Sequence, residues 1–215
     1  MIPPPPFISG LRTGMMLQLA IGPIFFYLVS IGMESTLMNS LLAVLAVTIA
    51  DCLYIGLSLI GIGRLLQKEQ VKRRFGTFSS VVLMLFGIVI FSRAWAQVGA
   101  FGRSSTLAWT PLSSFASTFI LTISSPLTIV FWSSIFSAKA IENDYRKQEL
   151  TSFAIGAGTA TPLFLGIAVS LVFLLQTAIP DWLVQLMNGL VGLVLIYYGF
   201  SRTFAFSRSS GQQGR

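Results

Sequence analysis

One carboxylate lies in the middle of a long apolar stretch. Asp51 falls within "AVLAVTIADCLYIGLSLIGIG", residues 43–63, where every other side chain is uncharged. A charge at the bilayer centre costs at least about 2.5 to 3.5 kcal/mol, so such residues usually face a bundle interior and serve a function. Burial disfavours the anion and a nearby cation favours it, so Asp51 is suited to carry a proton or to pair with a substrate amine. The alternative is a structural acid, hydrogen-bonded to Ser or Thr neighbours or to Arg12.

Other polar side chains near Asp51, or near prolines in the apolar runs, are further candidates for substrate or proton binding. Tyr54 shares a helix face with Asp51 at i+3, and Gln18 lies just over one turn before Pro23. Either could equally be a hydrogen-bonding strut. Hydroxyl groups that could line a site, although in membranes they more often bond to their own helix, belong to Ser124, Ser125, Thr128, Thr159 and Thr161.

The chemistry that the sequence lacks is also informative. There is no histidine and one cysteine, Cys52, so neither an intrachain disulfide nor a zinc site of the usual Cys/His type is expected. An enzyme would need a nucleophile with its base or a metal cluster, and none is recognisable. We therefore expect a protein that is not an enzyme and that has no cofactor.

The composition indicates a polytopic membrane protein. The chain of 215 residues is 54% hydrophobic and 10% charged, whereas soluble domains carry about 25% charged residues, and its mean hydropathy is +0.80. We predict six transmembrane helices, because apolar runs long enough to cross about 30 Å of hydrocarbon occur at roughly 8–32, 40–63, 76–98, 112–138, 150–178 and 183–204.

The basic residues indicate the orientation of these spans. Twelve of the fourteen fall on one side of the six-span arrangement, and only Arg93 and Arg103 fall on the other. The positive-inside rule then places both termini in the cytoplasm. We attribute the net charge of +7 to topology and lipid headgroups and expect no nucleic-acid partner. The N-terminal "MIPPPPFISG" lacks a basic n-region and is expected to form a stiff cap, not a signal peptide.

The two halves of the sequence resemble one another weakly. Gly22–Pro23 aligns with Ser125–Pro126 at an offset of 103 residues, "IADCLYIG" (49–56) aligns with "TATPLFLG" (159–166) at 110, and "FGIVIFSRA" (86–94) aligns with "VGLVLIYYG" (191–199) at 105. A unit of three spans is odd, so its second copy must enter the membrane from the opposite face. We predict two inverted repeats, residues 1–107 and 108–215, with a substrate site near the midplane where they meet.

Pro23 and Pro126 lie mid-span at matching places in the two halves. A proline inside a helix removes a backbone hydrogen bond, and unpaired backbone groups at membrane depth need protein or water to satisfy them. We predict broken helices here, whose exposed backbone groups and dipoles contact a polar or zwitterionic substrate; packing kinks are the alternative. Gly10, Gly14 and Gly22 recur at four- and eight-residue steps and predict close packing between helices, or between the protomers of a homodimer.

The segments "GLRTGMMLQLAIGPIFFYLVSIG", "TIADCLYIGLSLIGIGRLL" and "FILTISSPLTIVFWSSIF" resemble the lysine exporter (LysE/RhtB) family of amino-acid exporters. The resemblance covers nearly the whole chain and implies a six-span plasma-membrane carrier that extrudes amino acids or similar metabolites, driven by the proton-motive force. It points to Gly22, Pro23, Asp51 and Pro126. Ile24 and Ser125 depart from the polar residues common in the family at these places, so substrate identity does not transfer.

The sequence therefore predicts a secondary transporter that exports amino acids or related metabolites. The main alternative is a metal-cation exporter of a related repeat fold, although cations require several carboxylates or imidazoles. A channel is a further alternative, which a lone acid without a charged ring disfavours.

Overall fold

The computed structural model describes residues 5–18, 23–60, 80–92, 109–124, 127–176, 178 and 180–211. Within these ranges the chain forms eight α-helices and no strand. The helices are α1 Pro6–Gln18, α2 Pro23–Glu34, α3 Leu37–Leu59, α4 Ser80–Ser92, α5 Pro111–Ile123, α6 Leu127–Glu142, α7 Lys147–Leu175 and α8 Asp181–Gly211. The coarse prediction of an all-helical protein is confirmed. The basic segment 61–79 lies outside the described residues.

Two of the predicted spans each contain two shorter helices. The run at 8–32 contains α1 and α2, and the run at 112–138 contains α5 and α6. Helix α5 begins with a capping box between Thr110 and Ser113 and has Pro111 in its first turn, and it ends at the C-cap Ser124. Helix α2 begins at Pro23, which has no N–H that a helix start would leave unpaired.

Helices α3 and α7 are long and apolar enough to cross a membrane by length and composition. Thr36 caps the start of α3 by accepting a hydrogen bond from the backbone N–H of Asn39. Helix α7 continues through Pro162 without ending. The outer faces of both helices carry exposed aliphatic residues such as Leu45, Leu53 and Ile167, whereas Ala43, Ala46 and Ala50 are buried. Large apolar residues outside and small ones inside are typical of helices packed within a bilayer.

The packing contacts give the relative directions of the helices. Helices α1 and α7 run the same way, because Gly10 meets Phe153 and Gly14 meets Ala157 and Ala160. Helices α3 and α7 run in opposite directions. Thr161 contacts Asp51, whereas Gly158, which precedes Thr161, lies beside Cys52 and Ile55, which follow Asp51. Helices α3 and α5 run the same way, because Asn39 bonds the Trp109 carbonyl and Tyr54 the Ile123 carbonyl.

Helices α4 and α8 touch at a pair of glycines. A Cβ on Gly87 would lie 2.9 Å from the carbonyl oxygen of Gly192, and a Cβ on Gly192 would lie 2.9 Å from that of Gly87. Both distances are shorter than real Cβ contacts, so only glycine lets these backbones approach so closely. These two residues are also aligned with one another in the internal repeat.

Candidate functional site

Asp51 accepts a hydrogen bond from a residue in the other half of the sequence. The Oγ1 hydroxyl of Thr161 donates to Asp51 Oδ2 at 2.8 Å. Thr161 is 1% exposed and Asp51 is half-buried. The contact links the middle part of α3 to the middle of α7. These are the two residues that the repeat alignment places opposite one another.

Gln18, the last residue of α1, extends this interaction. Its Nε2 donates to Thr161 Oγ1 at 2.8 Å, and the two hydrogen bonds form a chain from Gln18 through Thr161 to Asp51. In both bonds the donor group lies on the side away from the carboxyl, so Asp51 Oδ2 is the final acceptor of the chain. The structure thus brings together three residues predicted from different parts of the sequence.

The close approach of α1 and α7 positions Gln18. A Cβ on Gly10 would lie 2.0 Å from the Phe153 carbonyl oxygen, and one on Gly14 would lie 2.6 Å from the Ala160 Cβ. Gly10, Gly14 and Gln18 recur every four residues and so share one helix face. The prediction that Gly10 and Gly14 pack helices closely is confirmed, and the packing is within one chain. Gly22 lies outside the described residues.

A cavity of about 220 Å³ lies beside Asp51. It is bordered by the end of α1, the start of α2, the end of α5, the start of α6 and the middles of α3 and α7. Its lining residues are Leu17, Gln18, Ile24, Phe25, Val47, Asp51, Thr122, Thr128, Phe131, Trp132 and Leu165. The helix ends that flank both mid-span prolines therefore meet at one cavity.

The cavity carries partial charges of opposite sign at different places. Ile24 is the second residue of α2 and Thr128 the second residue of α6, and both line the cavity. The first N–H groups of a helix have no acceptor within it and carry partial positive charge. Asp51 supplies negative charge from α3. Such an arrangement suits a ligand that carries both an amine and an acid.

Tyr54 takes part in the scaffold next to the cavity. Its hydroxyl donates to the backbone carbonyl of Ile123, the last residue of α5, at 2.5 Å. One turn further along α3, Ser58 Oγ donates to the Ile129 carbonyl in α6 at 3.0 Å. The Ile123 carbonyl is at the end of α5 and lacks an intrahelical donor, and Tyr54 supplies one. Helix α3 thus donates side-chain hydrogen bonds to both α5 and α6. Of the two roles considered for Tyr54, this contact is that of a strut.

The remaining predicted residues have different placements. Thr128 lines the cavity, whereas Ser124 Oγ donates to the Ile120 carbonyl of its own helix at 2.6 Å. Thr159 is exposed and bonds the Gly156 carbonyl at 2.8 Å. Pro23 is the first residue of α2. Gly22, Ser125 and Pro126 lie outside the described residues.

Sequence reasoning missed most of the cavity wall. Phe25, Phe131 and Trp132 are aromatic lining residues. Their residue types do not distinguish them from apolar residues that face lipid. Val47 is one turn before Asp51 on α3 and Thr122 is one turn before Pro126, so their spacing could have identified them. Among the described residues, no group of three or more His, Cys, Asp or Glu is arranged to hold a metal ion.

The family pattern of the LysE type translocators matches residues 15–204. The chain belongs to this family. It is therefore a membrane transport protein, and the matched range includes Gln18, Asp51 and Thr161. A further similarity is to "Putative amino acid efflux protein YcgF" of Bacillus subtilis (strain 168), with 25% identity over 203 residues that cover 90% of this chain and 93% of that protein. No solved structure matches the chain.

Proposed function

We propose that this translocator is a secondary transporter that exports amino acids or related small metabolites across the plasma membrane. The observation that carries the proposal is the cavity at which four described helix ends and Asp51 meet. Discontinuous helices that present their ends to a central site are typical of secondary transporters. The similarity to a relative named as an amino-acid efflux protein points the same way.

The polarity of the cavity supports an amino acid as the substrate. The α-ammonium group would pair with Asp51, whose carboxylate already accepts from Thr161. The α-carboxylate would lie against the first turns of α2 and α6, where N–H groups and the helix dipole favour an anion. The Gln18 amide, which borders the same cavity, is a further polar contact for either group.

Two contacts support two inverted repeats of three spans each, residues 1–107 and 108–215. Asp51 and Thr161 are aligned in the repeat and hydrogen-bonded to one another, and Gly87 and Gly192 are aligned and in reciprocal contact. A residue that lies near a twofold axis meets its own mate across that axis. A pseudo-twofold axis in the membrane plane would pass close to both pairs.

We further propose that export is driven by the proton-motive force, with protons as the coupling ion. Asp51 is the single carboxylate among the described lining residues, and an acid that alternates between a proton and an ammonium group would exchange one for the other. We also propose that the chain crosses the membrane six times, that both termini are cytoplasmic, and that its outer surface contacts membrane lipids. The faces of Gly10 and Gly14 pack against α7 of the same chain, so a homodimer would use other surfaces.

The metal-cation exporter is less well supported. Divalent cations bind several oxygen ligands, commonly with more than one carboxylate, and the described part of the cavity offers one carboxylate, one amide and two hydroxyl groups.

The deciding experiment measures export by the purified protein in proteoliposomes. Vesicles loaded with each of the twenty amino acids in turn should release at least one of them when a pH gradient is imposed, and a protonophore should abolish the release. Empty vesicles provide the control for leakage. Failure to move any amino acid by correctly inserted protein would refute the proposed function.

A further inference from the structure

The wall of the Asp51 cavity is apolar away from Asp51. Phe25, Phe131 and Trp132 contribute aromatic side chains, and Val47 and Leu165 contribute aliphatic ones. Pockets of this kind fix a ligand through a few polar groups and accept apolar parts against the rest of the wall. At about 220 Å³ the cavity is smaller than the ~300–1,000 Å³ of sites that hold drug-sized ligands.

The described residues offer no second acid within reach. Glu34 lies ten residues beyond Ile24 on α2, and Glu142 lies ten residues beyond Trp132 on α6. At 1.5 Å per residue each is about 15 Å from the cavity lining. Glu34 is also engaged by the Trp109 indole and the Asn188 amide. An ammonium or guanidinium group on a substrate side chain would therefore have no described carboxylate partner once Asp51 binds the α-ammonium.

Burial of an unpaired charge is strongly unfavourable, whereas burial of an apolar side chain against an apolar wall is favourable. We propose that this site selects amino acids with uncharged, apolar side chains over basic amino acids. The aromatic and aliphatic wall formed by Phe25, Val47, Phe131, Trp132 and Leu165 is the specificity determinant. This inference rests on the proposed function and names the substrate class of the same cavity.

The test compares norleucine with lysine, which has a side chain of similar length that ends in an ammonium group. Proteoliposomes are loaded with either amino acid at the same concentration, and release is measured under one imposed pH gradient. Release of lysine should be at least about tenfold slower, because no described carboxylate is left to neutralise the second ammonium.

Each outcome bears differently on the two proposals. Lysine release equal to or faster than that of norleucine overturns the apolar selectivity and leaves amino-acid export intact. The same holds if norleucine is retained while the twenty-amino-acid screen finds a substrate with a charged or polar side chain. Retention of every amino acid in the screen refutes export itself and, with it, this inference.

A variant extends the test. Phe131 lines the cavity, so Phe131→Glu places an acid in the cavity wall. It should raise lysine release relative to norleucine by about tenfold, and the uncharged Phe131→Gln should not, because only the acid pairs with the second ammonium. Equal ratios in the two variants would contradict the role of this wall. If Phe131→Glu fails to insert, the wild-type comparison still decides.

Discussion

Asp51 is a carboxylate with one hydroxyl donor and an open side toward a cavity. If it exchanges a proton for a substrate amine, Asp51→Asn should insert and fold, because removal of a lone buried charge relieves a desolvation cost. Export should fall about tenfold or more, since a hydrogen bond to a charged group is worth about 1.5–3 kcal/mol. The measurement is the rate of gradient-driven release divided by the amount of inserted protein.

Two variants serve as controls for Asp51. Asp51→Glu keeps the charge and should retain part of the activity, and Cys52→Ser changes an exposed neighbour that does not line the cavity and should export normally. A purely structural acid would give the reverse pattern, with low abundance of Asp51→Asn but normal export per inserted molecule. Full export by Asp51→Asn at normal abundance would show that the carboxylate is dispensable.

The Thr161 hydroxyl oxygen accepts a hydrogen bond from Gln18 and donates one to Asp51. Thr161→Val has nearly the same shape but removes both hydrogen bonds, so the unfolding free energy should drop by about 1–3 kcal/mol, and export should fall as well. Thr161→Ser should restore both properties. Thermal unfolding in detergent and release from vesicles measure the two effects.

Thr159 provides the matched control for this substitution. It lies on the same helix, is exposed and bonds only the Gly156 carbonyl of its own helix among the contacts described. Thr159→Val should leave export unchanged. Equal losses in the two valine variants would mean that β-branched replacement within α7, and not the Asp51 contact, causes the defect.

Residue types alone identified the polar members of the site but not their arrangement. Asp51, Gln18 and Thr161 were each recognisable as a polar side chain in an apolar run. Which of them meet depends on the neighbours of α3, and a local pattern contains no such information. The aromatic wall was missed for a related reason, since Phe131 and Trp132 are as apolar as the residues that face lipid.

The contact between α1 and α7 decides where Gln18 lies. A Cβ on Gly14 would lie 2.6 Å from that of Ala160 and 2.8 Å from the Ala157 carbonyl oxygen. Gly14→Ala should therefore separate the helices, cost about 1–3 kcal/mol of stability through overpacking, and weaken export by withdrawing Gln18 from Thr161. Thermal unfolding and release assays test this expectation.

Gly166 on α7 is the control for this glycine substitution, because no atom lies within 4 Å of a Cβ built there. Gly166→Ala should be neutral or slightly stabilising, since alanine favours the helix. If Gly166→Ala destabilises the protein as much as Gly14→Ala does, the effect of Gly14→Ala does not arise from the contact between α1 and α7.

The helices themselves were largely predictable from hydropathy and proline positions. Pro23 begins α2, and position 126 falls between the described ends of α5 and α6, so the two prolines lie where the broken helices are proposed. The ends were less accurate, and α8 continues to Gly211 beyond the predicted boundary at 204. Hydropathy marks the part of a helix that matches hydrocarbon, whereas helical hydrogen bonding can continue into polar sequence.

The relative directions of the helices predict the side of the membrane on which each turn lies. Helices α1 and α7 are parallel, so the turn after α2 at Ser35 and the turn after α7 at Ala178 should lie on one side of the membrane. The turn between α6 and α7 at Asp144 should lie on the opposite side. By the positive-inside rule we expect the side with Asp144, together with both termini, to be cytoplasmic.

Reporter fusions that score cytoplasmic or external location test this topology. Fusions at the N-terminus, at Asp144 and after Arg208 should report the cytoplasm, and fusions at Ser35 and Ala178 should report the exterior. If all five fusions score as expected, the chain crosses the membrane an even number of times between the N-terminus and Asp144, and again between Asp144 and Arg208. With both termini cytoplasmic, a cytoplasmic signal at Ser35 or an external signal at Asp144 would contradict the inverted repeat, because a three-span unit must reverse its orientation. External signals at both termini with the others reversed would instead preserve the repeat and refute only the orientation inferred from charge.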